Sequence, residues 1–96
     1  DRSTNQWIWA EPIEDSYVVN LGDLISMWTN NTYRSTLHRV INISGGERYS
    51  VPFFYSGNHQ YQIECIRECL EENSEPLYPP ISVEQHYRNM FKKTYI

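Results

Sequence analysis

Two short β-type runs about a pair of glycines constrain this chain more than any other feature. His38-Arg39-Val40-Ile41-Asn42-Ile43 and the run from Arg48 to Tyr55 flank the turn Ser44-Gly45-Gly46-Glu47, and together they read as a hairpin. Alternate side chains of a strand share one face, so Arg48 and Ser50 point the same way, with Pro52 and Phe54 continuing the row. His38 opens the preceding strand. Such a face combines an imidazole, a guanidinium beside a hydroxyl, and an aromatic wall. Imidazole ligates metals and an arginine fork grips carboxylates, so the set suits an iron site that takes an organic acid.

The rest of the chain repeats the pattern of short strands and tight turns. Trp7-Ile8-Trp9-Ala10 reads as a short strand closed by Glu11-Pro12, and Tyr17 to Leu21 as a buried one. Gly22-Asp23 turns the chain, with Asp23 as N-cap of a short helix over Leu24 to Trp28 that Asn30-Asn31 ends. Further strands are expected at Arg34-Ser35 and Gln60 to Cys65. Beyond Cys65 the pattern changes. Glu71 to Pro76 is acidic and turn-rich, and Tyr78-Pro79-Pro80 is held extended by its prolines. Ser82 and Gln85 have capping-box spacing, and Val83, Tyr87, Met90 and Phe91 recur at helical spacing, which predicts a helix over residues 83–93. The architecture expected is mainly β, a jelly-roll sandwich with one short internal helix and one C-terminal helix.

Composition narrows the partners. Eight basic and twelve acidic residues leave a net charge of −4, and the cations are scattered where a nucleic-acid surface needs them clustered. No apolar run reaches the roughly 20 residues of a membrane span. Cys65 and Cys69 are too few for a zinc framework and read as reduced thiols of a cytoplasmic protein. Asn30-Asn31-Thr32 and Asn42-Ile43-Ser44 match the glycosylation triplet, a pattern frequent by chance.

Four segments in order carry a resemblance to a known family. They are Tyr17-Val18-Val19-Asn20-Leu21-Gly22-Asp23, Trp28-Thr29-Asn30, Arg34-Ser35-Thr36-Leu37-His38-Arg39-Val40, and Arg48-Tyr49-Ser50-Val51-Pro52-Phe53-Phe54. Over residues 7–58 the chain resembles the C-terminal half of the isopenicillin N synthase-like iron(II)/2-oxoglutarate-dependent dioxygenases. Tyr78-Pro79-Pro80-Ile81 and Val83-Glu84-Gln85-His86 extend the likeness into the tail. The resemblance implies a double-stranded β-helix, with a core over residues 7–65 and a tail with terminal helix over 66–96.

The resemblance also implies roles. His38 matches the distal iron ligand, and Arg48 with Ser50 matches the clamp on the distal carboxylate of 2-oxoglutarate. Phe54 resembles an aromatic beside the substrate pocket, and Arg39 is expected in a structural salt bridge. The family's remaining ligands form a His-x-Asp pair that does not occur in this sequence, because Val40, Tyr61 and Arg88 stand two positions after His38, His59 and His86. Neither His59 nor His86 is expected to complete the triad. The expectation is therefore a segment of a longer oxygenase, which hydroxylates or desaturates a small organic molecule once joined to an N-terminal half carrying His-x-Asp. Alone the segment should be inactive. The rival expectation is a non-catalytic jelly-roll module for binding or assembly.

Overall fold

The computed structural model describes residues 1–95. Four elements meet in one small core: helix α1 (Asp23–Trp28), strand β1 (Gln62–Ile63), strand β2 (Ile81–Ser82) and helix α2 (Val83–Tyr95), with a 3-10 turn over Arg67–Cys69 between the strands. β1 and β2 pair antiparallel, Gln62 opposite Ser82 and Ile63 opposite Ile81. Ile63 and Val83 form the buried apolar centre. The Trp28 ring packs edge-on against Tyr61 at 5.8 Å, joining α1 to β1.

α1 ends in a Schellman motif. Asn30 and Asn31 adopt left-handed φ values of 50° and 64°, which asparagine tolerates better than most residues. The Asn31 N–H then donates to Ser26 O at 2.8 Å and the Asn30 N–H to Met27 O at 3.3 Å, satisfying two carbonyls of the last turn. Buried Thr29 adds its hydroxyl, which donates to Ile25 O at 2.7 Å and accepts the Tyr33 N–H at 3.1 Å. At the other end Gly22 is the N-cap, without a side-chain cap bond, and Asp23 is the first helical residue. The expected Asp23 cap is thus shifted by one position, where its carboxylate still faces the positive end of the helix.

α2 begins where β2 stops, so its first backbone N–H groups need partners. Tyr61 O accepts from Val83 N at 3.0 Å and His59 O from Glu84 N at 2.9 Å, while the Ser82 hydroxyl accepts from Gln85 N at 3.1 Å. The expected capping box is half built: the Gln85 side chain donates along the helix to Asn89 at 2.7 Å instead of reaching back.

The expected jelly-roll sheets are not built among the described residues. No ladder joins His38–Ile43 to Arg48–Tyr55, and Trp7–Ala10, Tyr17–Leu21 and Arg34–Ser35 are equally unpaired. The Gly45-Gly46 turn does form, with Gly45 at φ 74°. Its closure comes from the Asn42 side chain, which donates to Gly46 O at 2.7 Å and accepts the Ser44 N–H at 3.2 Å. A lone hairpin is marginal in water without a third strand or a helix beneath it. Neither face of this one is covered: Val40 is 62% exposed and Ile41 47%. The Cα radius of gyration is 16.5 Å, where a compact chain of this length would have about 12.5 Å. The accessible surface is 9308 Å², where a compact chain of this mass would expose about 5,800 Å².

Candidate active site

His38 is placed by the segment that leaves α1. The Ser35 N–H donates to the buried Ser26 hydroxyl, and Ser35 O accepts from the Arg2 guanidinium at 2.6 Å. Three residues on, the His38 ring turns back on its own backbone, with Nδ1 2.8 Å from Thr36 O. A carbonyl only accepts, so Nδ1 carries the proton in this contact, and in the neutral ring Nε2 keeps its lone pair. That is the state an imidazole needs to bind a metal through Nε2.

An open depression of about 610 Å³ lies between α1, the 34–38 segment and α2, and His38 lines it together with Asp23, Arg34, Tyr78 and His86. The C-terminal segment is tied to this place by two asparagines. Asn30 Oδ1 accepts the Leu77 N–H at 2.8 Å and Asn31 Oδ1 accepts the Tyr78 hydroxyl at 3.0 Å. The residues that end α1 therefore also fix the far wall of the depression.

Sequence reasoning missed that wall. The stripe expected on α2 was Val83, Tyr87, Met90 and Phe91, yet Tyr87 and Phe91 are exposed while Val83, His86 and Met90 are turned inward. The junction with β2 fixes Val83 in the core, and positions three and seven further on follow it to the same side. His86 could have been found by counting from Val83 rather than by pooling every apolar residue.

Arg48, Ser50 and Phe54 lie elsewhere. All three are exposed on the unpaired run that follows the glycine turn, and none lines the depression beside His38. Between the first two, Tyr49 donates to Glu47 Oε2 at 2.7 Å. That bond holds its phenol above the ordinary value of 10.0, because ionisation would set a phenolate against a carboxylate, and desolvation pushes the same way. Arg39 does not form the expected salt bridge; its guanidinium stacks 4.3 Å over the Trp7 ring instead. Cys65 and Cys69 are free, half-buried thiols.

No group of three or more His, Cys, Asp or Glu side chains is arranged to hold a metal among the described residues, and the His38 ring offers a single imidazole donor. The residues present do not make a complete iron site. No helix among them is long and apolar enough to cross a membrane.

Comparison with known proteins shows the family. The family described as the 2OG-Fe(II) oxygenase superfamily matches residues 1–57. The chain is 46% identical, over 99% of its length, to the 2-oxoglutarate-Fe(II) type oxidoreductase hxnY of Emericella nidulans, covering 27% of that protein. It is 38% identical over 99% of its length to clavatol oxidase claD of Penicillium crustosum, covering 28%. Against azadirone synthase LFS of Melia azedarach it is 39% identical over 91% of its length, covering 26%. The chain thus spans about a quarter of the length of these curated relatives. No solved structure matches it.

Proposed function

The chain belongs to the 2OG-Fe(II) oxygenase superfamily, which uses iron(II) and 2-oxoglutarate, and from that premise we propose that the whole protein oxidises a small organic substrate at the expense of 2-oxoglutarate. His38 supplies the distal iron ligand, and a His-x-Asp pair in an upstream part of the polypeptide supplies the others. Iron(II), when bound, supplies the oxygen chemistry. The observation that carries the reading is the state of His38: its Nδ1 is engaged by Thr36 O at 2.8 Å, which orients the ring and leaves Nε2 for a metal.

Arg48 and Ser50 form the cosubstrate clamp. Once their segment lies in a sheet, both side chains share one face. The guanidinium can then give two parallel charged hydrogen bonds to a carboxylate and the hydroxyl a third. Phe54, which follows Pro52 along the same row, is the aromatic wall nearest the substrate. The uncovered apolar segments support a jelly roll that closes only with strands from the rest of the domain.

A second reading rests on the lack of a three-ligand cluster among the described residues: a jelly-roll module that binds or assembles without catalysis. The two separate on one assay, release of labelled carbon dioxide from 2-oxoglutarate by the intact protein. Iron-dependent release that disappears in His38→Ala supports the oxygenase. No release from an iron-loaded protein, with no upstream His-x-Asp, leaves the binding module.

A further inference from the structure

α2 has an outer face unlike its inner one. Val83, His86 and Met90 turn inward, whereas Tyr87, Phe91 and Tyr95 are 39%, 66% and 73% exposed. Spaced four apart, these aromatics form one row along the helix, and the Phe91 and Tyr95 rings meet at 4.8 Å. The His59 ring lies 5.9 Å from Tyr87 at the start of the row. A shallow groove of about 730 Å³ runs beside it, with His59, Tyr87, Arg88, Phe91 and Lys92 in its lining. Its other two residues are already engaged. Glu84 is held by Arg88 at 2.7 Å, and the Gln85 side chain donates to Asn89.

The charge on this face has a counterpart elsewhere in the chain. α2 carries Arg88, Lys92 and Lys93 against a single acid, the Glu84 that Arg88 binds. Neither lysine has an ion-pair partner among the described residues. Residues 64–75 hold Glu64, Glu68, Glu71, Glu72 and Glu75 against one cation, Arg67, and all six are exposed. None of these glutamates is in an ion pair among the described residues, and Leu77 just beyond them is 62% exposed. One surface is aromatic and basic, the other acidic with an apolar end. Within one chain the two stay apart. Asn30 holds the Leu77 N–H at 2.8 Å beside α1, and no residue of the acidic segment lines the groove.

We propose that the outer face of α2 is an interface between two copies of this protein, each laying its acidic residues 68–75 along the groove of the other. Opposite potentials on one chain make that chain its own complementary partner. Under a two-fold axis every contact is made twice and the assembly closes at two chains. Tyr87, Phe91 and Tyr95 supply an apolar centre, while Lys92 and Lys93 face the glutamates at the rim, the usual division of an interface.

The test is sedimentation velocity of the intact protein across a dilution series. A reversible dimer is expected, weakened by added salt. Lys92→Glu with Lys93→Glu should weaken it by about tenfold, because each exposed pair is modest but counts twice. Glu71→Lys with Glu72→Lys should weaken it to a similar extent. All four substitutions together should restore most of the wild-type affinity, which a misfolded variant cannot do. Phe91→Ser should also weaken the dimer, with an unchanged far-ultraviolet circular dichroism spectrum. A dimer indifferent to the charge reversals, or one that the fourfold exchange does not restore, would overturn the proposal. So would a monomer at every concentration, which would leave the groove to another part of the polypeptide or to a different protein.

Discussion

The phenol of Tyr78 donates to the side-chain oxygen of Asn31 at 3.0 Å, across 47 residues of sequence. Asn31 reaches it from a left-handed backbone, φ 64°, which the end of α1 imposes. One residue thus terminates a helix and moors the tail, and substitutions should separate the two tasks. Tyr78→Phe loses a part-buried hydrogen bond and is expected to cost about 0.5–1.5 kcal/mol. Asn31→Ala loses the same bond and adds about 1–2 kcal/mol for a non-glycine side chain in the left-handed region. Asn31→Gly should fall nearer Tyr78→Phe. Urea unfolding of the three variants of the intact protein checks the order, and equal costs for the alanine and glycine variants would remove the backbone argument.

Ser82 caps α2 through Gln85 N at 3.1 Å. Ser82→Ala is expected to destabilise by about 1 kcal/mol, with faster amide exchange confined to the first turn of α2. Uniform loss of protection along the helix would mean that the cap matters less than the packing of Val83.

The proposed metal and cosubstrate roles give distinct kinetic signatures. His38→Ala should abolish iron-dependent turnover in the intact protein. Arg48→Ala should weaken 2-oxoglutarate by about 1.5–3 kcal/mol, the range for a hydrogen bond to a charged group. Arg48→Lys keeps the charge without the fork and should recover only part of that. An unchanged KM for 2-oxoglutarate in Arg48→Ala would remove the clamp.

Tyr49 predicts a local pH dependence. Its folded pKa lies above the ordinary 10.0 because the phenol donates to Glu47. A group raised in this way stabilises the fold fully below its unfolded pKa, and the contribution fades as pH climbs through the raised value. Nothing should change near neutrality. Glu47→Gln should bring the phenol back toward its ordinary value, read as a difference titration against Tyr49→Phe; an unmoved midpoint would break the link.

The isolated chain should bind iron(II) weakly, show no oxygenase activity and self-associate. Tyr17 and Val51 are 95% and 96% exposed, and the accessible surface stands at 9308 Å². Apolar unpaired segments of this kind invite edge-to-edge pairing. Light scattering and iron titration test the expectation, and a monodisperse monomer with micromolar iron affinity would overturn it.

The parts legible in the sequence are those whose causes are local. Asn30-Asn31 marked the end of α1, Ser82 marked the start of α2, and the Gly45-Gly46 turn lies where its glycines allow a left-handed step. The strands were legible only as intentions. Val40, Ile41 and Phe53 have the composition of paired β-structure, but a ladder needs a neighbour and propensity cannot provide one. Arg48 and Ser50 depend on that same missing face, so their common direction follows from parity and family alone. The mooring of Leu77 and Tyr78 was not legible because it depends on two asparagines 47 residues upstream.

That long span bears on biosynthesis. Ile63 finds its strand partner only in Ile81, and Asn30 its acceptor role only with Leu77. A ribosome delivers these groups in order, at about 5–20 residues per second. α1 therefore leaves the exit tunnel seconds before the segment moored to its end. During that interval Asn30 and Asn31 lack the tail groups that complete their hydrogen bonds. Premature termination before Leu77 would prolong the interval without limit, so shortened transcripts of this gene should yield proteolysed or chaperone-bound products rather than a smaller folded domain.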